Sequence, residues 1–390
     1  MPEAPILAIN TGSSSLKFGM YFERNGDEEI QLDGLADGIG RDSGRLEIKD
    51  GAGRVLRSES ARFASASQAL ASAKQWLTEL SPWNPCAVGH RVVHGGPRLL
   101  AHQRITPAVQ QELRACVHFA PLHIPPALSL IEAAEKTYPR VPQFACFDTV
   151  FHATMPELAS RYALARELYS EGMRRYGFHG LSYESIVGQL GTELPRRAVI
   201  AHLGNGASLA AVGDGHSIDT SMGLTPTGGI PMGTRSGDLD PGVVLYLMRQ
   251  RKLSADSLES LLNHDAGLKA LSGGRSDMRD LEKAAKQGDA AAQLAIDIFC
   301  YAIRKFIASY AAALEGLDML VFTGGIGEKS ATVRANICNA LHFIGVHVDG
   351  AANEKNAPTI STAQSVVRVR VIQTEEDRQI ARHSRQLLAT

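Results

Sequence analysis

The chain has 390 residues, 44% of them hydrophobic and 21% charged, with 40 Lys plus Arg against 41 Asp plus Glu. This composition excludes a disordered or collagen-like chain, and a formal charge of −1 removes any global attraction to nucleic acid or an anionic membrane surface. At roughly 150 residues per domain, the length predicts two domains.

The opening Met1-Pro2-Glu3-Ala4-Pro5 carries no basic segment or cleavage motif, and Ile6-Leu7-Ala8-Ile9 already reads as a buried strand. No run reaches the ~18 apolar residues of a membrane span, so a cytoplasmic protein without a membrane partner is expected. Asn10 to Ser15, with Lys17, places hydroxyls, backbone donors and one cation at that strand's end. Such a turn suits phosphate oxygens or the waters of Mg²⁺, and equally an ordinary Ser-rich hairpin. Ser14-Ser15-Leu16-Lys17 matches S-x-x-K, but K-T-G and S-D-N are both missing, which makes the match one of chance.

Helical spacing follows at 67–80, 107–117 and 126–137. Between the first two, His90 and His94 stand four apart, as in a zinc-binding helix. The surrounding Gly-His-Arg-Val-Val-His-Gly-Gly reads as a strand entering a turn, which argues against zinc. Arg91 lies among these residues, and a guanidinium is a natural fork for carboxylate or phosphate oxygens, though a structural ion pair is the commoner role. The apolar stretch 141–147 ends on Asp148, a strand-end carboxylate suited to meet substrate or metal. Tyr176-Gly177-Phe178-His179-Gly180 sets a histidine in a glycine-flanked turn before a helix at 182–190.

Ala198 to Ala201 is a second strand followed by a glycine-rich turn, His202 to Ser208. Met232 to Pro241 places Arg235 among glycines, and Asp240-Pro241 is a helix start. The stretch 289–315 is so apolar that a largely buried helix against a sheet is expected. Met319 to Phe322 is a third strand, and its Gly324-Gly325-Ile326-Gly327-Glu328-Lys329 resembles a Walker A loop only loosely, with Glu328 where glycine belongs. The last helix, 375–388, is amphipathic and carries Glu376 in its first turn. Cys86, Cys116, Cys146, Cys300 and Cys338 form no C-x-x-C pair and read as free, buried thiols.

Strands alternating with helices make the chain α/β. Glycine turns, arginines and acids together suggest nucleotide-dependent phosphoryl transfer, which needs positioning and charge neutralisation more than covalent help.

Eight blocks in order carry a resemblance across nearly the whole chain: Asn10 to Lys17, Gly89 to Gly96, Ala120 to His123, Phe147 to Thr149, Tyr176 to Gly180, His202 to Gly206, Met232 to Arg235 and Phe322 to Glu328. They resemble the acetate kinase family, of the acetate and sugar kinase/Hsp70/actin superfamily. The resemblance implies two ribonuclease-H-like (actin-like ATPase) domains with a ligand cleft between them, paired in a homodimer. The lobes would be 1–150 plus 378–390, on the carboxylate side, and 151–377, on the nucleotide and dimer side. It implies reversible Mg²⁺-dependent transfer of the ATP γ-phosphate to acetate, giving ADP and acetyl phosphate by direct in-line attack, with Mn²⁺ as an alternative ion.

Carried onto this sequence, Asn10 and Glu376 would hold the metal, Ser13 and Ser15 would belong to a phosphate loop, and Lys17 would meet the nucleotide phosphates. His202, Leu203, Gly204, Asn205, Gly206, Asp277, Met278, Arg279, Gly325, Ile326, Gly327, Glu328 and Lys329 would bind ATP. Arg91 would grip the acetate carboxylate, while His179 and Arg235 would stabilise the phosphoryl group. Val93, Leu122, His123, Phe178 and Pro226 would line the substrate pocket. Asp148 joins the catalytic set; the family's proton-transfer role for it sits poorly with an acid already ionised at neutral pH, so orienting Arg91 or Mg²⁺ waters is the expected role.

The chain departs from the family pattern at Ile124, Thr227-Gly228-Gly229, Met278, Lys329 and Glu375-Glu376-Asp377, none of which removes a phosphate or carboxylate contact. Gly325 leaves room for adenosine, and Val93 favours acetate over propionate, the nearest competing substrate. A different class, an actin- or Hsp70-like ATPase switch, would leave Arg91, His179 and Arg235 without a purpose.

Overall fold

Short aliphatic runs, apolar on both faces, become central strands. In the computed structural model, which describes residues 4–12 and 15–390, they build two sheets. The first contains β1 (Ile6–Thr11), β2 (Ser15–Arg24), β3 (Asp27–Asp37), β4 (Gly44–Asp50), β5 (Val55–Ala61), β6 (Ala87–Val92), β7 (Gln103–Arg104) and β8 (Gln143–Phe147), in the order β5-β4-β3-β2-β1-β6-β8-β7. The second contains β9 (Arg197–Leu203), β10 (Ala207–Gly213), β11 (His216–Thr220), β12 (Met319–Thr323) and β13 (Arg368–Val371), in the order β11-β10-β9-β12-β13.

Each sheet follows one plan. A three-strand antiparallel meander is extended, beyond its first strand, by two parallel strands: β3-β2-β1-β6-β8 in one and β11-β10-β9-β12-β13 in the other. Parallel neighbours need crossovers, and helices such as Ala66–Leu80 and Ile124–Thr137 supply them. This is the repeated ribonuclease-H-like topology that the resemblance implies.

By contact the chain divides into one unit of Met1–Val150, Gly180–Ser185 and Glu375–Thr390, and a second of Phe151–His179 and Ile186–Thr374. The short segment Gly180–Ser185 joins the first unit because Leu181 is buried with Ile6, Ala8, Phe144 and Ile380. Ile380 and Ala381 belong to the C-terminal helix Glu376–Ala389, which lies on β6 where Gly89 has no side chain. A Cβ there would come 2.2 Å from Ser384 Oγ and 2.6 Å from Ile380 Cγ2.

Two expectations change in detail. The helix Ala290–Ala313 is less buried than expected: Phe299, Ile303 and Ile307 face inward, while Leu294 and Tyr301 are more than half exposed. An apolar composition hid an inside and an outside. Asp289 lies outside that helix as its cap, accepting from the amides of Ala291 and Ala292. The Pro241–Gln250 helix starts as expected, with Asp240 accepting from Gly242 N, yet none of its residues is buried. Four cysteines are buried, Cys86 is half-buried, and none of the five is in a disulfide. Among the described residues no helix is long and apolar enough to cross a membrane.

Candidate active site

In the first unit, three strand ends and one helix start bring polar groups together. Arg91, near the end of β6, sends Nε to Asp148 Oδ1 and Oδ2 at 3.0 and 3.1 Å and NH2 to Oδ2 at 2.7 Å. Its NH1 donates to Asn10 Oδ1 at 3.2 Å. Asp148 directly follows β8; its amide donates to Val92 O, and its carbonyl accepts from Gly180 N, so its backbone is fixed on both sides. The Asp148 side chain is 1% exposed and that of Arg91 17%. Burial alone would lower the Arg91 pKa, but Asp148 outweighs it, joined by Glu376 and Asp377, and the guanidinium stays charged.

Asn10 turns its amide the other way, Nδ2 donating to Glu376 Oε2 at 3.2 Å and to Asp377 Oδ1 at 2.8 Å. Two adjacent carboxylates in the first turn of the C-terminal helix thus meet the end of β1. Burial pushes the Asp377 carboxyl up to about 6; the Asn10 bond opposes this, and Glu376 adds to it. Lys17 pairs with Asn10 in the β1–β2 register, and Gly12 N donates to Ser15 O across the turn. The predicted hairpin is therefore present; Ser13 lies outside the described residues. Val93 is half-buried, Leu122 is exposed and His123 precedes the helix Ile124–Thr137.

In the second unit, His179 sits before the helix Gly180–Leu190 with φ of 60°, the left-handed region that non-glycine residues rarely occupy. Its ring is held from two sides: Nδ1 lies 2.8 Å from Ser208 Oγ, and the imidazole stacks on His202 at 4.3 Å. Gly206 is where His179 and Arg235 meet. A Cβ on it would stand 3.3 Å from His179 Nε2 and 3.6 Å from Arg235 NH1, a tight fit against the imidazole and an ordinary contact with the guanidinium. Arg235 NH1 donates to Pro226 O at 2.9 Å. Phe178 is buried, and its carbonyl is bonded to His152 Nε2 at 3.0 Å.

The other expected nucleotide residues fall on three turns. Gly204-Asn205-Gly206 closes the β9–β10 hairpin, where Gly204 N donates to Gly206 O and Asn205 O accepts from Gly233 N. The helix Gly324–Lys329 follows β12; at Gly324, with φ of 75°, a Cβ would meet Leu203 O at 2.8 Å, whereas at Gly325 it would meet no atom within 4 Å. Glu328 faces back into this turn, its Oε1 accepting from Gly324 N at 3.0 Å and Thr374 N at 3.2 Å. Gly327 is buried, Ile326 half-buried and Lys329 exposed. Asp277 caps the helix Met278–Lys286 and forks with Arg279, while Met278 is buried beneath it.

His90 and His94 do not form a metal pair. His90 Nε2 lies 2.6 Å from Gln143 Oε1, burial lowers its pKa to about 4, and His94 Nδ1 accepts from Gly96 N. Two contributors escaped the reading of the sequence. Asp377 looks like an ordinary first-turn acid until Asn10 is seen to bond it. His152, bonded by Nδ1 to Ser217 Oγ at 2.8 Å and by Nε2 to Phe178 O, props the turn that carries His179.

Comparison with known proteins adds to this geometry. The family model described as "Acetokinase family" matches residues 5–382. A protein named acetate kinase from Methylocella silvestris is 44% identical, covering 98% of this chain and 98% of its own length. Among solved structures, an acetate kinase of Porphyromonas gingivalis is 36% identical with a TM-score of 0.87, covering 99% of this chain and 100% of that one. A propionate kinase of Francisella tularensis, also 36% identical, has a TM-score of 0.92 and covers 98% of this chain and 100% of that one.

Proposed function

The chain belongs to the acetokinase family and its activity is that of an acetate kinase, phosphoryl transfer with a carboxyl group as acceptor and ATP/ADP as co-substrate, and we propose how its residues divide that work. The observation that carries the reading is Arg91. Asp148 and Asn10 engage three of its N–H groups. A guanidinium has five, so among the described residues two are left by these bonds, the number that a carboxylate accepts as a fork. We assign the acetate carboxylate to them.

Acetate is ionised near neutral pH, because its carboxyl resembles that of Glu with a pKa of about 4.3. It therefore attacks phosphorus without a base, and Asp148 serves to hold Arg91 flat and charged. His179 and Arg235, met at Gly206, take the charge of the phosphoryl group in transfer. The nucleotide belongs to the turns at 202–206, 277–279 and 325–329, and Lys17 with Ser15 to its phosphates.

Mg²⁺ fits the donors present: Glu376 and Asp377 are neighbouring half-buried carboxylates whose hard oxygens favour a small divalent cation, and Asn10, whose Oδ1 faces Arg91, would join them by turning its amide over. When bound there, the ion would neutralise phosphate charge. Because ATP is held inside cells, we place the protein in the cytoplasm. We also assign the Pro241–Gln250 helix, with Val243, Leu245 and Tyr246 exposed, to contact with a second copy of the chain. Sedimentation should give a two-chain mass that Tyr246→Glu reduces to one; a single-chain mass for the unaltered protein would end the dimer reading.

The likeness to a propionate kinase makes acceptor choice the test. One methylene in an apolar pocket is worth about 1–3 kcal/mol. With Val93 narrowing the pocket, kcat/KM for acetate should exceed that for propionate, and Val93→Ala should shift the ratio about tenfold toward propionate. A wild-type preference for propionate would overturn the substrate assignment.

A further inference from the structure

One half-buried cluster in the first unit has no role in the work described so far: His102, Glu184 and His383. They come from the residue before β7, the helix Gly180–Leu190 and the C-terminal helix, and their side chains are 8%, 15% and 18% exposed. Two imidazoles and a carboxylate at this spacing are a familiar cation-binding set. The hydrogen bonds give a different answer.

β7 is two residues long and pairs only with Phe144 and Ala145, so the ladder stops short of Phe147. The Phe147 amide donates instead to His102 Nδ1 at 3.0 Å. A neutral imidazole that accepts at Nδ1 carries its hydrogen on Nε2. That atom lies 3.3 Å from Glu184 Oε1, and His383 Nε2 lies 2.7 Å from Glu184 Oε2. An ionised carboxylate only accepts, so His102 Nε2 donates to it and offers no lone pair to a cation, while His383 Nε2 sits between that carboxylate and Gln379 Nε2, 3.0 Å away. To ligate through Nε2, His102 would have to give up the Phe147 amide.

We propose that His102, Glu184 and His383 form a positioning array for the acceptor site, fixing the end of β8 that carries Asp148 against the C-terminal helix that carries Glu376. Phe147 immediately precedes Asp148, whose own amide is held by Val92 O, so the two bonds clamp the strand end on which the Arg91 fork depends. Glu184 is the hub, tying the clamp to His383 seven residues along from Glu376. Protonation states agree. Burial lowers the His102 pKa, with His383 adding to the fall and Glu184 and Asp148 opposing it. Burial would raise that of Glu184, but the bonds from both histidines outweigh it and hold the carboxyl at about 2. This proposal rests on the assignment of Arg91 and Asp148 to the acetate site.

Steady-state kinetics of the full chain with Mg-ATP and acetate test it through two variants of similar bulk. His102→Asn puts an amide oxygen where Nδ1 accepts. His102→Gln can still donate toward Glu184 but leaves the Phe147 amide without its acceptor. The expected result is a KM for acetate about tenfold higher in His102→Gln with KM for ATP unchanged, and a smaller rise, about threefold, in His102→Asn, which keeps the acceptor for Phe147 but gives up the bond to Glu184. Equal effects in both variants, or none in either, would overturn the array. So would tight Zn²⁺ binding by the EDTA-dialysed protein that Glu184→Gln abolishes. Should His102→Gln fail to fold, Glu184→Gln itself should raise KM for acetate several-fold, and an unchanged KM would refute the proposal. A wild-type chain without acetate-dependent turnover would instead sink the assignment of the acceptor site, and the array with it.

Discussion

Replacing Arg91 with Ala is expected to lower kcat/KM for acetate by about 1,000-fold, most of it in the acetate dependence. Two charge-assisted hydrogen bonds to a carboxylate, at about 2 kcal/mol each, account for roughly 4 kcal/mol. The loss has a second source. Asp148 is 1% exposed and forked to Arg91, so truncation leaves a buried carboxylate facing an incoming anion. Arg91→Lys restores the charge but not the planar fork, and should recover only about tenfold. Because part of the cost is the stranded carboxylate, adding Asp148→Asn to Arg91→Ala should improve it, a non-additivity expected of residues in contact. Asp148→Asn alone keeps an acceptor for Arg91 and is expected to lose about tenfold. Full activity there would remove Asp148 from the chemistry. Initial rates over a matrix of acetate and ATP concentrations read all four variants.

Arg334→Leu should act on stability first and on the nucleotide second. Arg334 is 0% exposed, with no water to replace what its guanidinium satisfies. Its Nε donates to Asn353 Oδ1 at 2.8 Å, NH1 to Gly327 O at 2.8 Å, and NH2 to Asn353 O at 2.8 Å and Asn356 Oδ1 at 2.6 Å. A leucine leaves three buried acceptors without donors, since Asn356 is exposed and can turn to solvent, and each orphan costs about 1 kcal/mol or more, so a loss of about 3 kcal/mol and a Tm drop of several degrees are expected. One of those acceptors is Gly327 O, inside the turn assigned to ATP. The variant should therefore raise KM for ATP about tenfold while leaving KM for acetate near wild type. Scanning calorimetry together with the same rate matrix checks both halves; an unchanged Tm would refute the energetic account.

The comparison of sequence with structure divides along contact range. Strand-then-turn segments such as Ile6 to Ser15 and Ala198 to Ser208 announced themselves because their pattern is local, and a repeat of that pattern in one chain already hinted at two like sheets. Arg91, Asp148, His179 and Arg235 stood out because each lies at a strand end or in a glycine turn. The supports of those residues were not legible. His383 meets Glu184 across 199 residues and Asn10 meets Asp377 across 367, and nothing in either local sequence marks such a partner. Arg334 reads as a surface arginine on a short helix until its acceptors are seen. The helix Ala290–Ala313 misled in the opposite sense, since its alanines and isoleucines promise a largely buried helix while Leu294 and Tyr301 face outward. A side chain's chemistry can be read locally, whereas what holds it in place is a property of the fold.

The central claim is that a free carboxylate, gripped by Arg91, is the obligatory acceptor of the phosphoryl group. Incubating the full chain with Mg-ATP and hydroxylamine, with and without acetate, tests it most directly by following ADP release and the coloured hydroxamate that traps acetyl phosphate. The account predicts ADP only when acetate is present, with hydroxamate formed in step with it. ADP released at the same rate without acetate, and no hydroxamate in either tube, would contradict it.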